Sequence, residues 1–502
     1  MNYSKICCSK LLLLAGALAA LPGSFSCSET AVVVDPVIPE EPEPPVSPSM
    51  RPNILLIVTD QQSFNTISAH ATQFPGSVYS STPNIDRLVR SGVSFTRAYC
   101  ANPVSVPSRF SLFTGEYGGQ YGVRDNQSPE ADETAIRRIQ QEQALGVVFR
   151  KAGYQTFYGG KVHLPFAASS GGSKFAAPVA YGFDNYFTDN EREGLGLAVA
   201  DLINEQAAAW ASARTSKVAP KPFLMVASFL NPHDICLESS TNLSPEVADD
   251  PKEPEKVATI RMMRERLAAI DPEVFLLDHA PALPLNDAKP QDYPDTKCSR
   301  KRFLNYPDTY WRQYRWIYGQ LVSLVDSHIG KVLDALDAHP VLKENTLIVF
   351  TSDHGEMQGA HGAVTKSLPF EECQRVPFIF AGWNLPANTV VDRLVCNGVD
   401  LLPTLCDMAG IKVPEGVDGV SLASLVKGDE PSKAILERDY LYFESETFVA
   451  VRHADYKLTH FDLDGKYSFL VDLAKDGGEM KNVASEQPGV VSKLQQYLST
   501  RK

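Results

Sequence analysis

Two short clusters in this chain bring oxygen donors together with an imidazole. Asp60-Gln61 follows the apolar run PNILLIVT at 52–59, and Asp353-His354-Gly355 follows a similar run from Thr346 to Thr351. Two carboxylates, an amide oxygen and an imidazole suit a divalent cation. An oxygen-heavy set favours Ca²⁺ or Mg²⁺ over Zn²⁺, although His is an unusual ligand for Ca²⁺. Taken alone, Asp353-His354-Gly355 reads equally well as a turn after a strand. A third cluster, Ser105-Val106-Pro107-Ser108-Arg109, places a hydroxyl, a proline-stiffened backbone and a guanidinium side by side. A helix beginning near Ser108 would aim free N–H groups at an anion, and Arg109 would offer a forked, permanently charged donor. By spacing alone this is also a plain helix cap. Gly159-Gly160-Lys161 and Asn231-Pro232-His233-Asp234 are two more polar clusters set directly after apolar runs.

The elements that must carry these clusters follow from hydrophobic patterning. The runs at 52–59, Thr156-Phe157-Tyr158, Phe223 to Phe229, Thr346 to Thr351 and Val376 to Phe380 are short, apolar and β-branched, as in strands buried on both faces. They alternate with helical stretches such as Glu142 to Ala152 and Tyr310 to Ala338, which predicts an α/β fold with a mostly parallel central sheet. Chemistry in such sheets gathers at the carboxyl ends of the strands, where the polar clusters lie. The stretch from Cys236 to Arg302 reads as an insertion above the sheet with one helix, Glu255 to Ile270. From Lys433 the pattern becomes an antiparallel meander (Tyr440 to Phe443, Phe448 to Arg452, Lys457 to Phe461, Tyr467 to Asp472) closed by a helix at Val490 to Leu498.

With 47 basic against 60 acidic residues among 502, the formal charge is -13, and a surface of that sign disfavours nucleic-acid partners. Lys5 and Lys10, the apolar stretch Leu11 to Leu21 and the small residues before Cys27 have the pattern of an export signal at 1–27. The apolar stretch is shorter than the roughly 20 residues a membrane-spanning helix needs. Cys27 after small residues is similar to a lipobox, with Ser24 where that pattern prefers Leu, so lipidation at Cys27 stands against plain cleavage and release. Removing residues 1–26 takes the charge to -15. Residues 28–50 form a Pro/Glu-rich linker that at about 3.1 Å per residue would hold the body tens of ångströms off a membrane. The expected location is therefore the periplasm or cell envelope. Of nine Cys, none forms a C-x-x-C pair; one or two disulfides are compatible with export, with Cys373, Cys396 and Cys406 as candidates.

Taken together, these residues carry a family resemblance. S-V-P-S-R-F-S-L-F-T-G at 105–115 resembles the sulfatase signature C/S-x-P-S-R-x-x-x-x-T-G. T-D-Q-Q at 59–62, G-K-V-H at 160–163, N-P-H-D at 231–234 and T-S-D-H-G at 351–355 with Lys366 follow in the order seen in type I sulfatases. D-L-L-P-T-L-C-D-M-A-G at 400–410 and L-V-D-L-A-K-D-G-G-E-M-K-N-V-A at 470–484 are similar to later landmarks. The resemblance implies an alkaline phosphatase-like α/β sandwich over 51–432, with a large mostly parallel sheet flanked by helices, and a small C-terminal α+β subdomain with an antiparallel sheet over 433–502. It implies that Ser105 is oxidised to formylglycine, whose hydrate attacks sulfur, and that an anaerobic sulfatase-maturating enzyme does this, as in Ser-type bacterial members. Asp60, Gln61, Asp353, His354 and the modified Ser105 would bind Ca²⁺, with Mg²⁺ second. Gln61 departs from the second Asp the family often has, so one formal charge is lost from the site. Arg109 and Lys161 would hold the hydrate and the sulfate oxygens, and Lys366 would neutralise sulfate from another side. His163 would act on the formylglycine hydroxyl to expel sulfate, and His233 would protonate the leaving alcohol. The expected function is hydrolysis of sulfate from a carbohydrate, with glycosaminoglycan or mucin-type glycans first. The alternatives are a phosphate or phosphonate ester hydrolase of the same superfamily and a catalytically dead surface glycan-binding protein. The sugar, the sulfate position and exo versus endo action stay open.

Overall fold

The computed structural model describes residues 51–499 apart from 73–78, 129, 166–176, 241–250, 253, 291, 294–305 and 462–466. Cys27, the linker at 28–50 and Cys298 lie outside the described residues.

Eight strands form the main sheet: β1 Asn53–Asp60, β2 Gly92–Tyr99, β3 Gln155–Gly160, β4 Asn185–Thr188, β5 Phe223–Pro232, β6 Thr346–Ser352, β7 Phe378–Gly382 and β8 Thr389–Cys396. Their order is β4-β3-β5-β1-β6-β7-β2-β8, parallel throughout except for β7, which runs against both β6 and β2. The continuous apolar runs of β1 and β5 are buried at every position because helices cover both faces. One face packs Ile54, Leu56 and Val58 against residues such as Phe113, Phe149 and Leu402; the other packs Leu55 and Ile57 against helices Glu193–Thr215 and Asp308–Asp337. Strand β2 (GVSFTRAY), with Thr96 and Arg97 half-buried, and strand β8, whose first residues alternate in exposure, lack a continuous apolar run. Neither is foreshadowed by the apolar patterning.

The helix expected near Ser108 begins at Ser105 and runs to Thr114. Pro107 therefore sits in its first turn, where the missing N–H needs no intrahelical partner and the fixed φ suits a helix. The amide of Val106 is satisfied from outside by Asn126 Oδ1 at 3.1 Å. The expected disulfides do not form among the described residues: Cys100, Cys236, Cys373, Cys396 and Cys406 remain thiols. Cys100 and Cys373 turn instead toward the carbonyls of Cys373 and Thr365.

A second sheet of four antiparallel strands, in the order β12-β11-β10-β9, is built from β9 Tyr440–Glu444, β10 Phe448–His453, β11 Tyr456–Phe461 and β12 Tyr467–Asp472. Its inner face, together with helix Pro488–Ser499, shares a hydrophobic cluster with Tyr99, Tyr117 and Phe370. Within the insertion, helix Pro254–Ala268 packs Val257, Ile260 and Met263 on Tyr310, Trp311 and Tyr314 of the long helix Asp308–Asp337.

Candidate active site

Strands β3, β5, β1 and β6 are neighbours in the sheet and parallel, so their carboxyl ends open on one place. They deliver Lys161 and His163 after β3, His233 after β5, Asp60 and Gln61 from β1, and Asp353 and His354 after β6. Helix Ser105–Thr114, which follows β2, brings Ser105 and Arg109 from the side. Asp60, Gln61, Ser105, Arg109, Asp353 and His354 are all fully buried.

Arg109 is the hub. Its Nε donates to Asp353 Oδ2 (2.8 Å), Nη2 to Asp60 Oδ2 (3.1 Å), and Nη1 to both the Lys161 carbonyl (3.1 Å) and Ser228 Oγ (2.8 Å). The resemblance implies a role for this guanidinium at the sulfate and the hydrate; its contacts within the protein tie the two carboxylates to β3 and β5. A forked donor suits that task because it can satisfy two carboxylates in one plane. The sequence motif gave no sign of Ser228, the hydroxyl that completes the fork.

With Asp60 Oδ2 engaged by Arg109 and by Lys161 Nζ at 2.6 Å, its Oδ1 meets no hydrogen-bond partner among the described residues. His354 Nε2 lies 4.0 Å from that oxygen and 3.7 Å from Asp353 Oδ1. The ligand atoms of Asp60, Asp353 and His354 all fall within 4.8 Å of one another. Asp353 Oδ1 accepts the amides of Gln61 (3.0 Å) and His354 (2.9 Å). His354 Nδ1 lies 2.9 Å from the Gly355 carbonyl, so it carries the proton and leaves a bare Nε2 facing the carboxylates. Burial and the nearby Lys366 hold this imidazole well below its usual range, hence neutral. Gln61 adopts a left-handed backbone, φ 68°, fixed by its own amide bond to Asp353 and by Tyr318 Oη on its carbonyl (2.7 Å). An orphaned buried carboxylate oxygen, an amide oxygen and an unprotonated imidazole nitrogen fit a hard divalent cation.

Ser105 Oγ stands 3.0 Å from His354 Nε2 and 3.3 Å from Lys366 Nζ, which in turn donates to Gln61 Oε1 at 3.0 Å. Ser105 is thus within reach of both the cation ligands and a cation side chain. Burial opposes ionisation of Asp60, but Lys161, Lys366 and Arg109 outweigh it and hold the carboxyl well below the usual range. Burial and the adjacent Asp60 push Asp353 up to about 7, against the pull of Arg109. The site imidazoles respond oppositely: burial first, then Lys161, drive His163 down to about 2 and His233 well below its usual value.

A cleft of about 470 Å³ leads here, lined by Lys161, His163, His233, Glu191, Lys252 and Lys256 among others. The two lysines come from the insertion, a contribution that no motif spacing could reveal. Asp234 does not face the cleft freely; it is held by Arg192 at 2.9 Å. Arg124 pairs with Glu444 at 3.7 Å, and His361 lies elsewhere, stacked on Phe370.

The sulfatase family model matches residues 52–411, and the model of the N-sulphoglucosamine sulphohydrolase C-terminal region matches 359–502. The chain is 32% identical to a Delta 4,5-hexuronate-2-O-sulfatase of Bacteroides thetaiotaomicron, the match covering 87% of this chain and 85% of that protein. It is 27% identical to an N-acetylglucosamine-6-O-sulfatase of the same organism over 86% and 82% of the two chains. The solved structure of a 2-O GAG sulfatase superposes with a TM-score of 0.68 at 27% identity, covering 90% of this chain and 92% of that one.

Proposed function

The chain belongs to the sulfatase family, and we propose that it removes sulfate from a sulfated saccharide, of glycosaminoglycan or mucin type, using formylglycine made from Ser105 and Ca²⁺ held by Asp60, Gln61, Asp353 and His354. The observation that carries this reading is the position of Ser105 Oγ between His354 Nε2 and Lys366 Nζ, beside the orphaned Asp60 Oδ1. The saccharide class is supported by the hexuronate and N-acetylglucosamine sulfatases named above and by a cleft whose rim carries Lys252 and Lys256.

Bound Ca²⁺ would polarise the sulfuryl oxygens, and formylglycine as its hydrate would supply one hydroxyl for attack and a second through which sulfate can be expelled. The protein's own groups do the rest. Lys161 and Lys366 flank the reacting position and stabilise charge on the sulfate oxygens. Arg109 holds Asp60 and Asp353 rigid. His233, whose Nδ1 has no hydrogen-bond partner among the described residues, is placed to give a proton to the leaving alcohol, and His163 to take one from the nucleophile's second hydroxyl. Both imidazoles are neutral in the cation-rich cleft; an arriving sulfate monoanion screens Lys161 and Lys366 and so favours protonation of His233.

Export through residues 1–27, a tether over 28–50, acylation of Cys27 and modification by an anaerobic maturating enzyme belong to the same reading. Membrane partition of the wild type against Cys27→Ala tests the anchor. Parallel assays on aryl sulfate and aryl phosphate after co-expression with a maturase, with intact mass to detect loss of two hydrogens at Ser105, test the chemistry. Sulfate turnover that tracks the mass change is expected; preferential phosphate release by unmodified protein would sink the proposal.

A further inference from the structure

Gln61 Oε1 lies on the Ser105 side, against Lys366, which also reaches Ser105 Oγ, and against Cys236 Sγ at 3.3 Å, whereas its amide nitrogen turns toward a carboxylate outside the site. Nε2 donates to Glu356 Oε2, a short bond, while Oε1 accepts from Lys366 Nζ at 3.0 Å. Glu356 is fully buried, and its other oxygen accepts from Tyr314 Oη (2.8 Å) and the amides of Thr365 (2.5 Å) and Gln358 (3.4 Å). Burial pushes the Glu356 carboxyl up to about 7, but every group around it is a donor, so both oxygens act as acceptors and the ionised form is the one these contacts favour. No ion pair neutralises it among the described residues.

An amide has two ends of nearly equal size and opposite polarity, and packing alone barely distinguishes them. Turned over, Gln61 would set a carbonyl against the Glu356 carboxylate and an NH₂ against the Lys366 ammonium, two repulsive contacts in place of two attractive ones. We infer that Glu356 is a positioning residue for the cation: it fixes the Gln61 amide with its oxygen toward the metal and, by polarising that amide, delivers to the site part of the negative charge that Gln61 itself lacks. This rests on the cation reading given above. Hydrogen bonds polarise one another along a buried chain, which makes the amide oxygen a stronger ligand than an unsupported Gln.

The test is Ca²⁺ titration of metal-free protein by calorimetry, with the Ca²⁺-induced rise in Tm as a second readout and no substrate present. Wild type should bind Ca²⁺ and Asp60→Asn should not; if wild type does not bind, the cation reading fails first and separately. Glu356→Gln keeps the shape but removes the charge and lets Gln61 turn over, so Kd should rise about 10- to 100-fold, the range seen when an outer partner of a metal ligand is lost. The exchanged pair Gln61→Glu with Glu356→Gln preserves atom count and hydrogen bonds while moving the carboxylate to the ligand position. It should return Kd to within a few-fold of wild type. Wild-type affinity in Glu356→Gln, or no recovery in the exchanged pair whether through weak binding or failure to fold, would overturn the assignment.

Discussion

Asp60, Asp353 and His354 can be set beside a second group of similar composition, His361, Glu372 and Glu479, whose ligand atoms also lie within 4.8 Å of one another. In the second group Lys457 Nζ sits 2.6 Å from Glu479 Oε1 and 3.2 Å from Glu371, which also pairs with Arg452 at 3.2 Å. Glu479 Oε2 accepts the Glu371 amide at 2.7 Å, and Asn286 Nδ2 lies between Glu372 (3.0 Å) and His361 (3.1 Å). An ammonium thus already neutralises Glu479, while Glu372 Oε2 meets no hydrogen-bond partner among the described residues. In the first group Arg109 and Lys161 share Asp60 Oδ2, leaving Oδ1 and the unprotonated His354 nitrogen turned to a common point, while Lys366 reaches Gln61 Oε1 and Ser105 Oγ but neither Asp60 nor Asp353. What sets Asp60 apart from Glu372 is that charged donors occupy its far oxygen, whereas Glu372 Oε1 meets the neutral Asn286 amide.

The largest change should come from Ser105→Ala, which leaves the carboxylates intact yet removes the nucleophile; kcat on an aryl sulfate should fall by more than about 10⁴-fold. Retained rate would break the link between this cluster and catalysis. His233→Gln should lower turnover of a sulfated sugar by about 10²- to 10⁴-fold and that of an activated aryl sulfate far less, since a good leaving group needs no proton. Equal losses on both substrates would argue against a proton-donor role. Lys457→Met addresses the second cluster: it strands Glu479 in a buried place, leaves Glu371 to pair with Arg452 alone, and should cost about 3–5 kcal/mol of stability in denaturant titration. Ca²⁺ stoichiometry and KM should not change, and a second bound Ca²⁺ would show that only the ammonium kept that cluster metal-free. Smallest, Lys256→Ala at the cleft rim should raise KM several-fold, more at low than at high salt, because it acts as a partly screened charge.

Much of this arrangement is legible in the chain, for identifiable reasons. β1, β3, β5 and β6 are buried on both faces and read as unbroken apolar runs, so the polar residues after them mark the strand ends that build the site. β7 reads as a strand too, but hydropathy carries no direction, and its antiparallel course comes from how it is wedged between β6 and β2. The half-exposed stretches of β2 and β8 hide them. Within the site, spacing places Arg109 one helical turn from Ser105 but cannot say that its fork faces the carboxylates. Glu356 directly follows the Asp353-His354-Gly355 cluster and escapes notice because a charged residue after a turn normally lies in solvent; only the closure of Tyr314, Thr365 and Gln61 over it makes it a buried acceptor.

Ser105 has no exposed surface, and it opens a helix whose every residue is buried. No macromolecular modifier can grip that side chain in the finished fold. If the proposed formylglycine is made here, its enzymatic oxidation would have to precede collapse of the chain, and the active state would be a matter of biosynthetic timing: a molecule folding too early would be sealed in its inert form. Adding maturase to folded protein should therefore leave the mass of Ser105 unchanged, whereas the same enzyme offered the nascent chain, or a peptide spanning 100–120, should find its target.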